Sequence, residues 1–304
     1  MKKLSLVVSL PNENDYQREQ AKAATEAAAR LGAHIRVLHA DNDAVVQSQQ
    51  LLEVVQSKAE RPDAILFEPL TATAFARVGE TAVGAGIGWV VLNCDVDYLP
   101  ALRSRANVPV FSVTRDHTEI GRIQGKQFAA LLPNGGTVLY IQGPATSSAA
   151  AQRTNGMEST KPANIQLKTL RSSWTEQGAH AAVGSWLRLS TSRASTIDLI
   201  GCQYDGIARG ARKAFEEHPD PPERAQWLRR PFTGIDGLPT EGQAWVDQGL
   251  LIATVIAGIT TRMAVELVCS ALVAGAPTPE RTVIEAQSYP PIETLSDIGR
   301  HSSK

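Results

Sequence analysis

The chain has 304 residues, 43% of them hydrophobic and 20% charged, which is the composition of an ordinary globular protein large enough for two cores. Its formal net charge of -1 gives no electrostatic reason to expect a nucleic-acid partner. Cys94, Cys202 and Cys269 are widely spaced and form no Cys-x-x-Cys pair, so the sequence predicts neither a disulfide framework nor a zinc site. We expect no metal and no cofactor.

The N-terminus has two interpretations. Lys2 and Lys3 precede an apolar run, as they would in a secretory signal. The run has only about seven residues and no small-residue cleavage site follows it, so we interpret it as a strand. The protein would be periplasmic or otherwise extracytoplasmic if a signal has been removed, and cytoplasmic if Met1 is the native start. The longest apolar runs are of strand length, short of the roughly 20 residues that span a bilayer.

Short apolar runs alternate with longer helical segments along the first part of the chain. Strands are predicted over residues 4–10, 34–39, 63–67, 89–92 and 108–113. Helices are predicted over residues 14–31, 44–58 and 73–83, the first of them rich in Ala, Glu, Gln and Arg. Strands that alternate with helices of this length indicate βαβ units and a parallel sheet.

A second set of the same kind follows. It opens with a helix over residues 116–132, and the breaker Pro133-Asn134-Gly135-Gly136 comes after it. Strands are predicted over residues 137–141, 166–170 and 197–201, and helices over 176–189 and 207–217. Residues 218–224 contain three prolines and are predicted to form a loop. Two successive sets favour an α/β fold of two similar lobes over one very wide sheet.

Ligands of open parallel sheets bind beyond the carboxyl ends of the strands, so the residues that follow each strand are candidates. They are rich in carboxylates, amides and aromatic rings: Ser9, Asn12, Glu13, Asn14, Asp15, Tyr16, Glu68, Asn93, Cys94, Asp95, Gln142, Arg153, Trp174, Tyr204, Asp205 and Asp236. Carboxylates, amides and arginine bind hydroxyl groups, and aromatic faces cover the apolar face of a ring. This mixture indicates a small ligand that carries hydroxyl groups.

Each of these residues also has a purely structural interpretation. Asn14, Asp205 and Asp236 precede or open helices, where they would act as N-caps without any ligand. Tyr16 and Trp174 could be half-buried packing residues, and Cys94 could pack beside the site.

The order of these motifs resembles one known family. The run Leu6-Val7-Val8-Ser9, the turn over residues 12–16, Leu92-Asn93, Gln142-Gly143 with Arg153-x-x-Gly156, Gln203-Tyr204-Asp205 and Gly234-Ile235-Asp236-Gly237 look like the sugar-binding proteins of ABC uptake systems, of the ribose-binding type. The resemblance implies two Rossmann-like lobes with parallel sheets, joined by a three-strand hinge. The lobes would comprise residues 1–113 with 258–285, and 114–257 with 286–304.

The family's sugar contacts can be placed on this sequence by the same resemblance. In the first lobe they correspond to Ser9, Glu13, Asn14, Asp15, Tyr16, Asn93 and Cys94. In the second lobe they correspond to Arg153, Trp174, Tyr204, Asp236 and Ala257.

Four of these positions depart from the family pattern. Asn93 stands where the family usually has aspartate, Cys94 replaces an arginine, Tyr204 an amide residue and Ala257 a glutamine. Because a site built to bond a hydroxyl group rejects a ligand without it, we expect a ligand other than ribose, with a less polar or differently shaped ring.

The resemblance implies a solute-binding protein that captures a small sugar or polyol in a cleft between the lobes, closes on it and delivers it to an ABC permease. We expect a monomer. A ligand-sensing domain of a regulator or signalling system is the alternative, since its cleft would look the same.

Two other classes fit less well. A repressor of the lac type would begin with a DNA-binding helix-turn-helix, for which the sequence before the first strand leaves no room. An enzyme is disfavoured because no Gly-x-Ser-x-Gly or His-Glu-x-x-His motif is present and the six histidines form no cluster in sequence.

Overall fold

The computed structural model describes residues 3–57, 59–71, 73–190 and 196–302. Met1, Lys58 and Lys304, which the predicted helix and lobe limits include, lie outside that part. The chain divides into two compact units: the N-terminal unit, residues 1–115 and 259–284, and the C-terminal unit, residues 116–258 and 285–304.

The N-terminal unit contains one sheet of six strands, all parallel, in the order β2-β1-β3-β4-β5-β11. Its strands are β1 (Ser5–Leu10), β2 (His34–His39), β3 (Ala64–Phe67), β4 (Gly88–Asn93), β5 (Val110–Arg115) and β11 (Arg281–Ile284). Its helices are α1 (Asp15–Arg30), α2 (Ala44–Gln56), α3 (Ala76–Gly84), α4 (Leu99–Arg103) and α11 (Thr260–Ala274).

Alternation along β1 divides the core of this unit into two layers. Leu6 and Val8 lie in one cluster with alanines of α1 and with Val265 of α11. Val7 lies in the other cluster, with Leu51 of α2 and apolar residues of α3. Successive side chains of a strand point to opposite faces, so a run that is apolar throughout buries both faces of the sheet.

The C-terminal unit has a second sheet of six strands in the order β7-β6-β8-β9-β10-β12. Its strands are β6 (Gly136–Gln142), β7 (Ile165–Arg171), β8 (Leu199–Cys202), β9 (Phe232–Asp236), β10 (Ala253–Ile256) and β12 (Gln287–Tyr289). Its helices are α5 (His117–Leu131), α6 (Ser148–Thr160), α7 (Glu176–Leu187), α8 (Asp205–Glu216), α9 (Pro221–Leu228), α10 (Ala244–Asp247) and α12 (Ile292–Ser302), and a short π-helical turn spans Pro239–Gln243.

One strand of this sheet runs against the others. The edge strand β12 pairs antiparallel with β10, whereas the other pairings of the sheet are parallel. The predicted class of two α/β units is confirmed, with the second sheet mostly parallel.

The predicted loop over residues 218–224 is wrong in its second half, because α9 begins at Pro221. Asp220 caps this helix by accepting a hydrogen bond from the Glu223 amide at 2.9 Å. Proline is tolerated in the first turn of a helix, where its missing N–H would have no partner, so prolines at the start of α9 do not break it.

Among the described residues, no helix combines the length and the apolar character that crossing a membrane requires.

Candidate functional site

In the N-terminal unit, three charged or amide side chains meet at the carboxyl ends of β3, β4 and β5. The Asn93 amide nitrogen donates to Glu68 Oε1 at 2.7 Å, and Arg115 Nε donates to Asn93 Oδ1 at 2.6 Å. Gln17 of α1 donates to the other Glu68 oxygen at 3.0 Å. Asn93 therefore bridges an acid and a base, using one end of its amide for each.

Asn93 adopts a left-handed conformation with φ 67°, which asparagine tolerates better than most residues. An aspartate, the family's usual residue here, would place a second carboxylate against Glu68. Like charges at this distance are unfavourable, whereas the neutral amide donates to Glu68 and accepts from Arg115.

Tyr16, predicted to stack on a ligand ring, is buried with 4% of its surface exposed. The Arg115 guanidinium lies over its ring, 4.4 Å from the centroid, and its hydroxyl accepts a hydrogen bond from Gln20. Gln20 in turn accepts from the Thr261 amide at 3.0 Å and anchors α1 to α11. The structure thus places Tyr16 as a support under Arg115, and its predicted stacking on a ligand stays a prediction.

The turn before α1 has mixed roles. Asn14 is an N-cap, accepting from the Gln17 amide at 2.9 Å, as its structural interpretation predicts. Asp15 pairs with Arg18 in the first turn of the helix. Glu13 is exposed and lies 3.7 Å from the His39 ring.

Ser9 and Cys94 both pack against other protein groups. Ser9 is fully buried, and its hydroxyl accepts from Gln47 at 3.2 Å. Cys94 packs partly buried against the apolar cluster that contains Trp89. Burial, with a smaller contribution from Glu68, raises the pKa of the Cys94 thiol to about 12, so the neutral thiol packs there. Their ligand contacts stay predictions.

In the C-terminal unit, Arg153 of α6 and Asp236 at the end of β9 form a buried pair. Arg153 Nη2 lies 3.4 Å from Asp236 Oδ1, and both side chains are almost completely buried. Arg153 also donates to the Gln203 backbone carbonyl. Asp236 has φ 112°, a conformation that residues with a side chain rarely adopt and that the surrounding structure must hold. The π-helical turn that follows has Leu238 at its N-cap position, so Asp236 is not the helix cap of its structural interpretation.

Gln203, at the end of β8, organises the residues around this pair. Its amide nitrogen lies within hydrogen-bonding distance of three acceptors, the Tyr140 hydroxyl at 2.9 Å, the Ala150 carbonyl at 2.9 Å and Thr154 Oγ1 at 3.0 Å, which share its two N–H donors. Its amide oxygen accepts from the Gly143 amide at 3.0 Å. A fully buried amide with so many partners fixes the start of α6, the helix that carries Arg153.

Trp174 lies against Gly143, which follows β6. A β carbon at Gly143 would stand only 2.3 Å from Trp174 Cζ2, so the indole occupies the space that any other residue would fill. The Arg153 guanidinium lies 5.5 Å from the centroid of the Trp174 ring. Trp174 is only partly buried, so an accessible aromatic surface remains beside the Arg153–Asp236 pair.

The last two predicted residues of this unit are buried. Tyr204 precedes α8, and its ring lies over Gly206, where a β carbon would stand 2.5 Å from Cε1. Ala257 has no exposed surface and packs with Ile120, Ile235 and Val255. Both side chains therefore pack against other residues of the unit, and their contact with a ligand stays a prediction.

Arg115, Glu68, Gln17 and Gln203 are not among the predicted contacts. Glu68 follows β3, which was a signal in the sequence, and Gln203 stands in a motif of the family resemblance. Arg115 lay beyond the predicted end of β5, and Gln17 lies inside a helix. Nothing in the sequence indicated their partners.

Each unit thus presents three groups at the carboxyl ends of its strands. They are an arginine whose guanidinium donates to a fixed acceptor, a carboxylate, and an aromatic ring. This is chemistry for holding hydroxyl groups, and no arrangement of nucleophile and base appears in either set of residues.

A comparison with known proteins identifies the family of the chain. Residues 6–273 match the profile of the periplasmic binding protein domain. The chain belongs to the periplasmic binding protein family. The resemblance to sugar-binding proteins of the ribose-binding type is confirmed, and so is the prediction of a solute-binding protein that is not an enzyme.

Two curated relatives have related names. The chain is 26% identical to the D-allose-binding periplasmic protein of Escherichia coli over 80% of its own length and 75% of the relative's. It is 25% identical to the xylitol-binding protein of Mycolicibacterium smegmatis over 78% of its length and 62% of the relative's.

Solved structures share the fold. An ABC transporter periplasmic solute-binding protein from Actinobacillus succinogenes, solved with D-allose, matches with a TM-score of 0.81 at 19% identity, over 97% of this chain and all of that one. The fructose-binding periplasmic domain of a hybrid two-component system matches with a TM-score of 0.76 at 20% identity, over 99% and 95%.

Proposed function

We propose that this protein captures a small sugar or polyol in a cleft between its two lobes and delivers it to the permease of an ABC transporter. The observation that carries the proposal is the buried Arg153–Asp236 pair beside the partly accessible Trp174. A guanidinium donates to hydroxyl oxygens, a carboxylate accepts from hydroxyl groups, and an indole covers a C–H face.

The N-terminal lobe would contribute Arg115, which would replace the family's usual arginine, because Cys94 occupies that position in this chain. Its guanidinium is aligned by Asn93 and by the Tyr16 ring, so little side-chain freedom would be lost on binding. In each lobe an arginine and a carboxylate lie close together at the strand ends, Arg115 with Glu68 through Asn93, and Arg153 with Asp236. Such a balance of charge suits a neutral ligand better than a sugar acid.

The mechanism would be hinge closure. The chain passes from one unit to the other at residues 115/116, 258/259 and 284/285. A ligand that contacts both lobes has a higher affinity for the closed form and shifts the population toward it. The closed form is then what a permease would recognise.

A ligand-sensing domain is the second candidate, favoured by the structural match to the fructose-binding domain of a two-component system. Both candidates bind ligand in the same way, so only the partner distinguishes them. Delivery to a permease implies that the protein works outside the cytoplasm, and we propose this location for it. We also propose that it works as a monomer.

The test is thermal melting in the presence of D-allose, D-ribose, xylitol, myo-inositol and glucuronate, followed by calorimetry on each compound that shifts the midpoint. A ligand at a hundredfold excess over its dissociation constant adds about 2.7 kcal/mol of stability. We expect at least one neutral sugar or polyol to shift the midpoint and glucuronate to leave it unchanged. A shift with none of the neutral compounds would contradict the proposal.

A further inference from the structure

Asp205, the first residue of α8, has a buried carboxyl group that is not used as a helix cap. Its Oδ2 accepts a hydrogen bond from the Gly237 amide at 2.7 Å, and its Oδ1 accepts from Thr254 Oγ1 at 2.7 Å. One side chain therefore connects α8 with the turn after β9 and with β10. The residue that precedes Gly237 is Asp236.

The surrounding backbone leaves room for this carboxyl group and for little else. A β carbon at Gly234 would stand 2.0 Å from Asp205 Oδ1, and one at Gly242 would stand 2.1 Å from Oδ2. Gly234 belongs to β9 and Gly242 to the π-helical turn. Two glycines at these positions let the Asp205 carboxyl group lie against the backbone on both sides.

The turn that Asp205 holds is conformationally unusual. Asp236 has φ 112° and Gly237 has φ 58°, two successive positive values. Glycine adopts a positive φ freely, so the strain lies at Asp236, and strained backbone of this kind persists only where its surroundings hold it. Here the Gly237 amide is held by Asp205, and its carbonyl accepts from Gln243 at 2.7 Å.

We propose that Asp205 is a positioning residue: through the Gly237 amide it holds Asp236 in the conformation that brings its carboxylate to Arg153. The consequence for ligand binding rests on the proposed function, whereas the consequence for the turn does not. Burial, and then the neighbouring Asp236, raise the pKa of the Asp205 carboxyl, and the Thr254 and Gly237 hydrogen bonds only partly oppose this. A costly buried acid at this place is consistent with a role beyond packing.

Three variants test the proposal. Asp205→Ala removes both hydrogen bonds. Asp205→Asn keeps the shape, since its amide oxygen can accept from Gly237 while its NH₂ group donates to Thr254. Thr254→Val is the matched control, because it removes a hydrogen bond from the same carboxyl group and leaves the Gly237 bond in place.

The first measurement needs no ligand: crystal structures of the three variants. We expect Asp236 to leave φ near 112° and to separate from Arg153 in Asp205→Ala, and to keep both in Asp205→Asn and Thr254→Val. An unchanged Asp236 in Asp205→Ala, or an equal change in Thr254→Val, would overturn the proposal. Should Asp205→Ala not fold, Asp205→Ser takes its place, because the serine hydroxyl lies one bond closer to the backbone and cannot occupy the position of Oδ2 that accepts from Gly237. An unchanged Asp236 in that variant would likewise overturn the proposal.

The second measurement is calorimetric titration of the same variants with D-allose and xylitol. For a compound that binds the unaltered protein, we expect affinity to fall on the order of tenfold in Asp205→Ala and to be restored in Asp205→Asn. The turn could relax in Asp205→Ala while the unaltered protein binds none of the neutral compounds. That result would support the positioning role of Asp205 and contradict the proposed function. Full affinity with a relaxed turn would refute the link between the turn and binding.

Discussion

The contact between Trp174 and Gly143 permits a sharp test of the candidate site. A β carbon at position 143 would stand 2.3 Å from Cζ2 and 2.4 Å from Cη2 of the indole. Non-bonded carbons prefer a separation of about 3.5–4.0 Å, so Gly143→Ala requires the ring to move by about 1 Å or more. Trp174 is only partly buried and follows the edge strand β7, so we expect the ring to move outward.

We expect Gly143→Ala to fold and to lose ligand affinity. The stability cost should be that of modest overpacking, about 1–3 kcal/mol, because an outward movement of Trp174 relieves the clash. An aromatic contact contributes about 0.5–1.5 kcal/mol beyond its buried area, so a displaced ring should weaken binding by about two- to tenfold.

The assay is calorimetric titration with the sugar or polyol that gives the largest thermal shift, together with tryptophan emission. Trp174→Phe identifies which part of the emission belongs to Trp174. Gly184→Ala is the matched control in the same unit: its β carbon would meet only Arg188 Nη1 at 4.0 Å. Alanine favours a helix over glycine by about 1 kcal/mol, so the control should be stabilised and bind normally.

The reasoning would be refuted by a Gly143→Ala variant with unaltered Trp174 emission and unaltered affinity. A shifted tryptophan emission with full ligand affinity would show that the ring moves but that Trp174 does not contribute to binding.

Four further outcomes are expected. Asp236→Ala should abolish sugar binding in calorimetry and still give a cooperative melt. Cys94, with its thiol pKa raised to about 12, should react with a disulfide reagent at pH 8 only after unfolding. The raised pKa of the Asp205 carboxyl means that the folded chain keeps a proton that the unfolded chain releases above about pH 4. The contribution of Asp205 to the free energy of unfolding is therefore present at low pH and is lost as pH rises. Urea titrations at a series of pH values should show this loss in the unaltered protein and not in Asp205→Asn. Asp220→Ala should lower the free energy of unfolding by about 1 kcal/mol in the same titrations, because α9 loses its cap.

The fold was predictable because its signals are local. Strands such as β1 are short and apolar, and helices such as α1 carry their own cap and composition, so alternation alone indicates two α/β units. The start of α9 was missed because prolines indicate a loop unless a cap and a first turn are recognised together. The antiparallel direction of β12 depends on its pairing with β10, which no local pattern carries.

The candidate site was predictable only in part. The rule that ligands bind at the carboxyl ends of parallel strands identified Asn93 and Asp236 without any knowledge of their partners. It could not identify Arg115 or Gln203, whose roles depend on hydrogen bonds to residues distant in the chain, such as Arg115 to Asn93 and Gln203 to Tyr140.

The departure from the family pattern at Asn93 illustrates why the sequence alone could not predict the site. Considered alone, the replacement of an aspartate and of the following arginine removes two charged groups from the site. Beside Glu68, however, an amide avoids a second carboxylate, and under the proposed function Arg115 of the neighbouring strand would supply the guanidinium. The three side chains form one arrangement, so a change at any one alters what the other two can do. Converting Asn93 alone to aspartate would therefore not restore the family's usual site, because Glu68 would oppose the new charge.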